Sequence, residues 1–407
     1  MRTVAFFNFL NCQRRDSILN SNVIYNCLKK LNLGTFLSDV SMRHIIAIML
    51  SVFMTGYKGK TVDFARASDC HRTTVAHFLN KGKWDSDKLR NTLKASIIEI
   101  IYKKAKETGK PIYLIADDTI ASHKKPSSKA LHPIEDAYFH MSHLKGCQDY
   151  GHQAVGIMLS CSGITLNYDI VMYDKTKSKI KIIQSIINEL PEAPVVSYFL
   201  CDSWYTTTKL MNPFIEKGFH TIGALKTNRI IYPCGIKTSI QKFSMFIRKD
   251  DPNVSLVTVG GRQFFVYRYE GALNDMENAV VLITYPKNAF GDGKALRAFI
   301  STDIFLSTED ILVHYMKRWE IELFFRESKT KLSLDKYQVR SAQGIKRYWL
   351  IMSLTHFMCC TCAGESYCNF TEGYKYFCDY ARKEQLRYIY KCVQKGISFE
   401  QLCTLVA

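Results

Sequence analysis

The sequence has little that would keep a chain unfolded or place it in a bilayer. It contains only nine prolines in 407 residues, and it has no internal repeat, low-complexity segment or long flexible linker. Together with a hydrophobic content of 47%, this excludes a collagen-like or largely disordered protein. The strongest apolar run, 44–56, is well short of the ~20 residues that span a bilayer, so we expect a soluble protein with no membrane partner.

Two catalytic signatures are also missing. There is no glycine-rich phosphate loop of the nucleotide-binding kind and no serine nucleophile elbow. Nucleotide hydrolysis is therefore not indicated.

Acidic residues are scarce relative to basic ones. The chain has 37 Asp and Glu against 55 Lys and Arg, a net charge of +18. Such an excess favours a polyanionic partner, usually nucleic acid. Residues 1–110 hold 19 basic and 8 acidic side chains, so +11 of the +18 lies in the first quarter of the chain. We expect the anion-binding surface to be concentrated there.

Cysteine is not scarce, but its distribution is irregular. The 14 cysteines are scattered over 407 residues, unlike the dense, regular spacing of a small disulfide scaffold. We expect reduced thiols and a cytoplasmic protein.

Hydrophobic periodicity divides the chain into regions of different structure. It is helical at first, alternates between strands and helices after Gly109, becomes rich in strands, and then returns to helices. The first four predicted strands are 112–116, 152–160, 164–172 and 195–201, with a hairpin turn at Ser162-Gly163 between the second and the third. We interpret the strand-rich part as an insertion into the α/β layer rather than its continuation. The predicted divisions are 1–109 (helical, DNA-binding), 110–225 (α/β core, first part), 226–305 (β-rich insertion), 306–347 (core, catalytic helix) and 348–407 (helical).

The basic N-terminal region contains a possible helix-turn-helix. The segments 61–68 and 72–80 have the pattern of two short helices around a turn. In that arrangement Arg72, Thr73 and Thr74 face outward and contact DNA. The alternative is a plain helical hairpin in a basic domain.

Carboxylates follow two of the predicted strands. The strand 112–116 leads into Asp117 and Asp118, and the strand 195–201 leads into Asp202. In a parallel or mixed sheet, strand ends of this kind lie at the edge where α/β sites usually open. Carboxylate oxygens there suit hard divalent cations such as Mg²⁺ or Mn²⁺.

A third carboxylate comes from a predicted long helix, 308–331, which begins with a capping box at Ser307. At 100° per residue, four polar side chains of this helix fall within about a 60° arc. One helix face therefore offers a carboxylate for metal and two cations for phosphate. The four residues are Tyr315, Arg318, Glu322 and Lys329.

The spacing of these four residues resembles a known signature. Tyrosine, two residues, arginine, three residues, glutamate, six residues and lysine is the pattern of the DDE transposases of bacterial insertion sequences in family four, the cut-and-paste group. The aspartates at 117 and 202 and the β-rich stretch before Glu322 are arranged as in that family. The resemblance covers about 110–347.

The resemblance implies a fold and a site. The fold class is α/β, an RNase H-like mixed sheet flanked by helices and interrupted by a β-rich insertion, with helical N- and C-terminal regions. Asp117, Asp202 and Glu322 are the implied catalytic residues and ligands of two Mg²⁺ ions, with Mn²⁺ as a substitute. The doublet leaves Asp118 open as the first ligand in place of Asp117. Since neighbouring strand residues face opposite sides of a sheet, we expect only one of them to be a ligand.

The resemblance also implies partners. Arg318, Lys329 and Tyr315 contact the transposon-end strand near a flipped base. The substrate is double-stranded DNA, both the terminal inverted repeats and the target, and the enzyme acts as a homodimer in a synaptic complex on the bacterial nucleoid. Relatives stack a β-domain tryptophan on the flipped base, but 226–305 has none, and its aromatic residues are alternatives. They include Phe264, Phe265, Tyr267 and Phe290.

Two other functions fit the same residues. One is a different RNase H-like, metal-dependent DNA endonuclease. The other is a catalytically inactive descendant that only binds DNA.

Overall fold

The computed structural model describes residues 22–55, 61–68, 70–131, 133–142, 145–363 and 366–401. The described residues between 22 and 108 are mainly helical, as expected, and residues 1–21 of the predicted N-terminal region lie outside the described ranges. The helices are α1 (Asn22–Lys30), α2 (Asp39–Thr55), α3 (Thr61–Ser68), α4 (Arg72–Asn80) and α5 (Ser86–Thr108). Gly109 follows the last residue of α5 and caps the helix in a left-handed conformation (φ 65°), which glycine tolerates without strain.

Strands and helices then alternate. The order is β1 (Tyr113–Ser122), β2 (Tyr138–Ser142), β3 (Cys147–Cys161), β4 (Ile164–Tyr173), α6 (Lys179–Glu189), β5 (Ser197–Cys201), α7 (Thr208–Glu216) and β6 (Phe219–Leu225). The predicted hairpin between β3 and β4 turns at Ser162 and Gly163, both with positive φ. The hairpin turn predicted from Ser-Gly is therefore confirmed.

The strand-rich stretch and the helices after it follow β6 in the described residues. They are β7 (Ile230–Ile231), β8 (Thr238–Ser239), α8 (Ile240–Phe243), β9 (Val254–Val259), β10 (Arg262–Leu273), β11 (Met276–Pro286), β12 (Arg297–Ser301), α9 (Thr308–Met316), α10 (Trp319–Thr330), α11 (Ala342–Cys362) and α12 (Phe370–Gln394).

The strands form one mixed sheet of twelve. Its order is β2-β3-β1-β5-β6-β12-β11-β10-β7-β8, with β4 paired to β3 and β9 paired to β10. Among the strand pairs of the described residues, only β1–β5 and β5–β6 are parallel. The predicted fold class, an α/β protein with a mixed sheet and helical regions at both ends, is confirmed.

Backbone pairing corrects one interpretation. We expected 226–305 to interrupt the layer, but β12 pairs antiparallel with β6 of the core, and β11 continues from β12. The stretch therefore extends the same sheet while keeping a hydrophobic cluster of its own around Ile231, Ile283 and Ile300. Periodicity predicts that strands exist but not which strands they pair with, so the continuity could not be seen in the sequence.

The N-terminal helices are held to the core by polar contacts as well as by apolar packing. Arg347 of α11 is buried, and its guanidinium donates to the carbonyls of Phe78 and Leu79 at the end of α4 and to that of Trp84. On α5, Lys94 is 2.7 Å from Asp169 of β4. Helix α4 is thereby fixed to α11, and helix α5 is fixed to β4.

Two observations concern the whole described chain. None of its described helices combines the length and the apolarity that a membrane crossing requires. The twelve cysteines among the described residues are all free thiols.

Candidate active site

Asp117 and Asp202 lie on neighbouring parallel strands at the same level of the sheet. Ala116 of β1 pairs with Cys201, the last residue of β5, and each of these two residues is followed directly by an aspartate. One detail differs from the prediction. Strand β1 continues to Ser122 because it pairs with β3 along its whole length, so Asp117 lies within the strand and not at its end. Asp202 follows the fifth strand rather than the fourth, because β2 was not predicted.

Arg318 joins the first and third carboxylates. Its Nη1 lies 2.7 Å from Oδ2 of Asp117, and its Nη2 forms a short ion pair with Oε1 of Glu322. All three side chains are partly buried, and Glu322 is the most exposed of them at 34%. Two carboxylates that are 205 positions apart in the sequence are therefore held by one guanidinium group.

The helix that carries Arg318 is not continuous. We predicted one helix over 308–331, but α9 ends at Met316 and α10 begins at Trp319. The amides of Lys317 and Arg318 donate to carbonyls three residues back, which tightens the backbone at this junction. The rotation of 100° per residue does not hold across this junction. The single helix that we predicted is therefore two helices that meet at Arg318.

Arg318 and Lys329 nevertheless both contact β1. Lys329 donates to Oγ1 of Thr119 (2.7 Å) and to the carbonyl of Ile120 (2.9 Å). The ring centroid of Tyr315 lies 5.8 Å from the guanidinium carbon of Arg318. Burial lowers the pKa of the Lys329 ammonium and raises the pKa of Tyr315 to about 12.

Asp117 and Asp118 face different surroundings. Gly156, the β3 partner of Asp117, faces Phe325 of α10, where an added Cβ would lie 2.7 Å from the ring. Asp117 therefore points to the side of the sheet that α10 covers. Asp118 instead contacts residues that the sequence did not predict: Lys179 of α6 (2.9 Å), the hydroxyl of Tyr205 (3.2 Å) and Gln153.

The turn after β5 holds Asp202 in place. Oδ1 of Asp202 accepts a hydrogen bond from the amide of Trp204 (2.9 Å), and its carbonyl accepts one from Tyr205 (3.2 Å). Tyr205 is buried, whereas Trp204 is 59% exposed. Neither Lys179 nor Trp204 was predicted from the sequence to lie at this site. The available signal for Trp204 was an aromatic residue two positions after a strand-end carboxylate.

The electrostatics of the cluster favour a bound cation. Burial raises the pKa of Asp117 to about 7, Arg318 opposes this rise, and the nearby charge of Asp202 adds to it. Burial likewise raises the pKa of Asp202, with the amide of Trp204 opposing the rise. Burial opposes the charge of Arg318, but Tyr315, Asp117 and Glu322 together raise the pKa of its guanidinium. Carboxyls whose ionisation is this costly gain from a positive charge between them.

Their donor chemistry fits a hard divalent cation. All three side chains offer carboxylate oxygens, the ligands that Mg²⁺ and Mn²⁺ prefer. Within the described ranges, no group of three or more histidine, cysteine, aspartate or glutamate side chains is already gathered closely enough to hold a metal ion. The guanidinium of Arg318 lies between Asp117 and Glu322 in this structure.

The predicted DNA-contacting residues of the N-terminal region form a separate group. Arg72, Thr73 and Thr74 are exposed in the first turn of α4, as the helix-turn-helix prediction requires. Nδ1 of His71 caps this helix and lies 2.8 Å from the Thr73 hydroxyl. The two short helices are where the sequence predicted them, and their role in DNA binding stays a prediction.

Fold and site together define an α/β protein with an acidic cluster where two parallel strands of a mixed sheet meet a helix. The family model described as the transposase DDE domain matches residues 108–358, well over half of the chain and all of the cluster. The protein belongs to this family of DDE transposases. The match does not separate the family into groups, so membership of family four stays a prediction. No curated protein matches the chain.

Proposed function

We propose that the protein is a cut-and-paste transposase of an insertion sequence, which cleaves and rejoins DNA phosphodiesters with Asp117, Asp202 and Glu322 as its catalytic residues. The observation that carries this proposal is the joining of Asp117 and Glu322 by Arg318 beside Asp202. Carboxylates from distant parts of the chain are thus brought together around one guanidinium group, which supports metal-assisted phosphoryl transfer.

The chain's own residues have distinct tasks in this proposal. Asp117, Asp202 and Glu322 hold two Mg²⁺ ions, or Mn²⁺ ions, which when bound polarise the attacking water or 3′ hydroxyl and stabilise the leaving oxygen. Arg318 leaves the space between the carboxylates and pairs with a DNA phosphate, an anion that a guanidinium binds as well as it binds a carboxylate. Asp118 supports the turn after β5 by accepting a hydrogen bond from the hydroxyl of Tyr205.

The proposed substrate is double-stranded DNA, first the terminal inverted repeats of the element and then its target. The exposed Arg72, Thr73 and Thr74 bind the repeats, and Tyr315, Arg318 and Lys329 contact the strand that reacts. The net charge of +18 supports a polyanionic substrate. We also propose that two copies act together in a synaptic homodimer on the nucleoid of a bacterial cytoplasm.

The experiment compares strand cleavage, strand joining and binding. Purified protein is incubated with Mg²⁺, labelled DNA that carries the element's own ends, and a circular target. We expect cleavage at the ends and joining of the 3′ ends to the target. The variant Glu322→Gln keeps the shape of the side chain but not its charge. It should lose cleavage by about 10²–10³-fold and keep its affinity for the ends.

Two results would count against the proposal. Nicking without joining of a 3′ end would favour a different metal-dependent endonuclease. Binding without cleavage by the unsubstituted protein, with a biological effect unchanged in Glu322→Gln, would favour an inactive DNA-binding descendant.

A further inference from the structure

Trp204 is a large apolar side chain in an unusual position. It is 59% exposed, in the turn that directly follows the carboxylate of Asp202. Trp84 and Trp349 are buried, whereas Trp319, at the start of α10, is also exposed (55%). A tryptophan usually contributes by burying a large area, so its exposure beside a polar site requires another explanation.

The backbone fixes Trp204 relative to the acidic cluster. Its amide donates to Asp202, and the next residue, Tyr205, is buried and donates its hydroxyl to Asp118. The turn that carries the indole is thus tied to two aspartates, Asp202 and Asp118. Its backbone therefore holds Trp204 next to the acidic cluster.

Two lysines from different elements approach the ring. Nζ of Lys179, the first residue of α6, lies 5.6 Å from the indole centroid, and Nζ of Lys226, which follows β6, lies 5.2 Å from it. Lys179 is also 2.9 Å from Asp118. Strands β5 and β6 are parallel neighbours, so their ends bring Trp204 and Lys226 to the same edge of the sheet.

An exposed aromatic face with ammonium groups around it matches the chemistry of a nucleotide. The ring offers a stacking surface that every base can use, and the ammonium groups can move along their flexible stems to the phosphates on either side. A base within a duplex already stacks on its neighbours. Only an unpaired base has a free face for the indole.

We propose that Trp204 is a stacking site for one unpaired nucleobase of the DNA strand that lies at the acidic cluster, with Lys179 and Lys226 contacting the adjacent phosphates. This inference rests on the proposed function, because it takes the strand at the cluster to be DNA. It assigns the stacking role to the turn after β5 and not to the aromatic residues of 226–305. Two of those, Phe265 and Phe290, pack against each other with centroids 5.2 Å apart.

The test uses forked DNA, a duplex that ends in two unpaired arms, with 5-iodouracil at the first unpaired positions. Ca²⁺ replaces Mg²⁺ so that binding is measured without reaction. Affinity is measured for the fork and for a fully paired duplex of the same length. Illumination then cross-links the iodouracil to the side chain that stacks on it, and mass spectrometry identifies the residue. The proteins are the unsubstituted chain, Trp204→Ala, Trp204→Phe and a control, Tyr390→Ala, which removes a 65% exposed aromatic ring from α12.

We expect the cross-link at Trp204. Trp204→Ala should weaken fork binding by about 5- to 160-fold, the loss of one base–aromatic stack, and change duplex binding by less than about twofold. Trp204→Phe should restore most of the difference, and Tyr390→Ala should bind like the unsubstituted protein.

Several results would overturn the inference. They are a cross-link that maps elsewhere, no preference of the unsubstituted protein for the fork, or equal loss of fork and duplex binding in Trp204→Ala. The cross-link and Trp204→Phe keep the test informative if Trp204→Ala does not fold. Failure of the proposed function is distinguishable, because it appears as absent Mg²⁺-dependent cleavage by a protein that still prefers the fork and cross-links through Trp204.

Discussion

At the scale of single residues, Arg318 is the most informative side chain of the site. It carries a positive charge into a group of carboxylates whose ionisation burial opposes, and it bridges two of them. In the proposed function, this internal cation keeps Asp117 and Glu322 together until a divalent ion and a DNA phosphate replace its contacts.

The two adjacent aspartates should differ in what they do. Asp117 faces α10 and Glu322, whereas Asp118 is engaged by Lys179, Tyr205 and Gln153. We therefore predict that Asp117→Asn lowers the rate of Mg²⁺-dependent cleavage by about 10²–10³-fold. Asp118→Asn should lower it by less than about tenfold and mainly reduce thermal stability, since Lys179 loses its partner. Cleavage rates and melting temperatures of both variants check this, and the reverse pattern would make Asp118 the first ligand.

Burial of Asp117 also predicts a pH dependence of stability. Its pKa is raised from 3.8 to about 7, so the folded protein binds this proton more strongly than the unfolded chain does. The free energy of unfolding of the metal-free protein should therefore fall as pH rises from about 4 to about 7, with Asp202 acting in the same direction. Mg²⁺ binds the ionised form, so it should raise the melting temperature more at about pH 8 than at about pH 5.

The control for this pH dependence is Asp117→Asn, which cannot ionise at that position. Melting temperatures with a chelator and with excess Mg²⁺ should then depend less on pH than in the unsubstituted protein. An Mg²⁺ effect that is equal at both pH values would contradict the assignment of Asp117.

At the scale of elements, the contact between α10 and β3 positions Glu322. Gly156 lies opposite Asp117 on β3, and an added Cβ would lie 2.7 Å from the ring of Phe325, one turn beyond Glu322. We predict that Gly156→Ala lowers the free energy of unfolding by about 1–3 kcal/mol and reduces cleavage, because α10 must move away from the sheet.

Gly293→Ala is the matched control. No atom lies within 4 Å of a Cβ placed at Gly293, and its φ is not in the left-handed region. Denaturant unfolding and cleavage rates of both variants check the prediction. Equal effects of the two substitutions would mean that helix placement does not depend on this close approach.

The helix α4 allows a second test at this scale. Arg72 is exposed in its first turn, where a DNA-contacting helix usually presents its side chains. We predict that Arg72→Ala weakens binding to the element's ends and reduces the salt dependence of the affinity by about one counterion. Arg382→Ala, at a 74% exposed arginine of α12, is the control and should change neither quantity. Binding isotherms at several salt concentrations check this, and equal effects of both substitutions would favour a plain helical hairpin.

At the scale of the whole molecule, the sequence predicted the type of most elements but not their pairing. The capping box at Ser307 and the hairpin turn at Ser162 follow from local side-chain chemistry, and both are present. The full length of β1 and the joining of β12 to β6 depend on partners far along the chain. Local periodicity contains no information about such partners, so the continuous sheet was not predicted.

The same distinction applies to the candidate site. Asp117, Asp202 and Glu322 could be proposed from strand ends, helix spacing and a resemblance. The contacts of Lys179 with Asp118 and Trp204 depend on where the start of α6 lies relative to β1 and the turn after β5, and no local pattern indicates them. The break between α9 and α10 was likewise hidden, because 308–331 contains no proline or glycine to mark it.

The most direct test of the central claim is to locate the bound divalent ion in the unsubstituted protein. Fe²⁺ replaces Mg²⁺ at the site, and with ascorbate and peroxide it generates hydroxyl radicals that cut the polypeptide backbone close to the ion. We predict cuts in three separate stretches, next to Asp117, Asp202 and Glu322, which excess Mg²⁺ suppresses and Asp117→Asn removes. Cuts at only one of these stretches, or at other places and insensitive to Mg²⁺, would contradict a shared metal site.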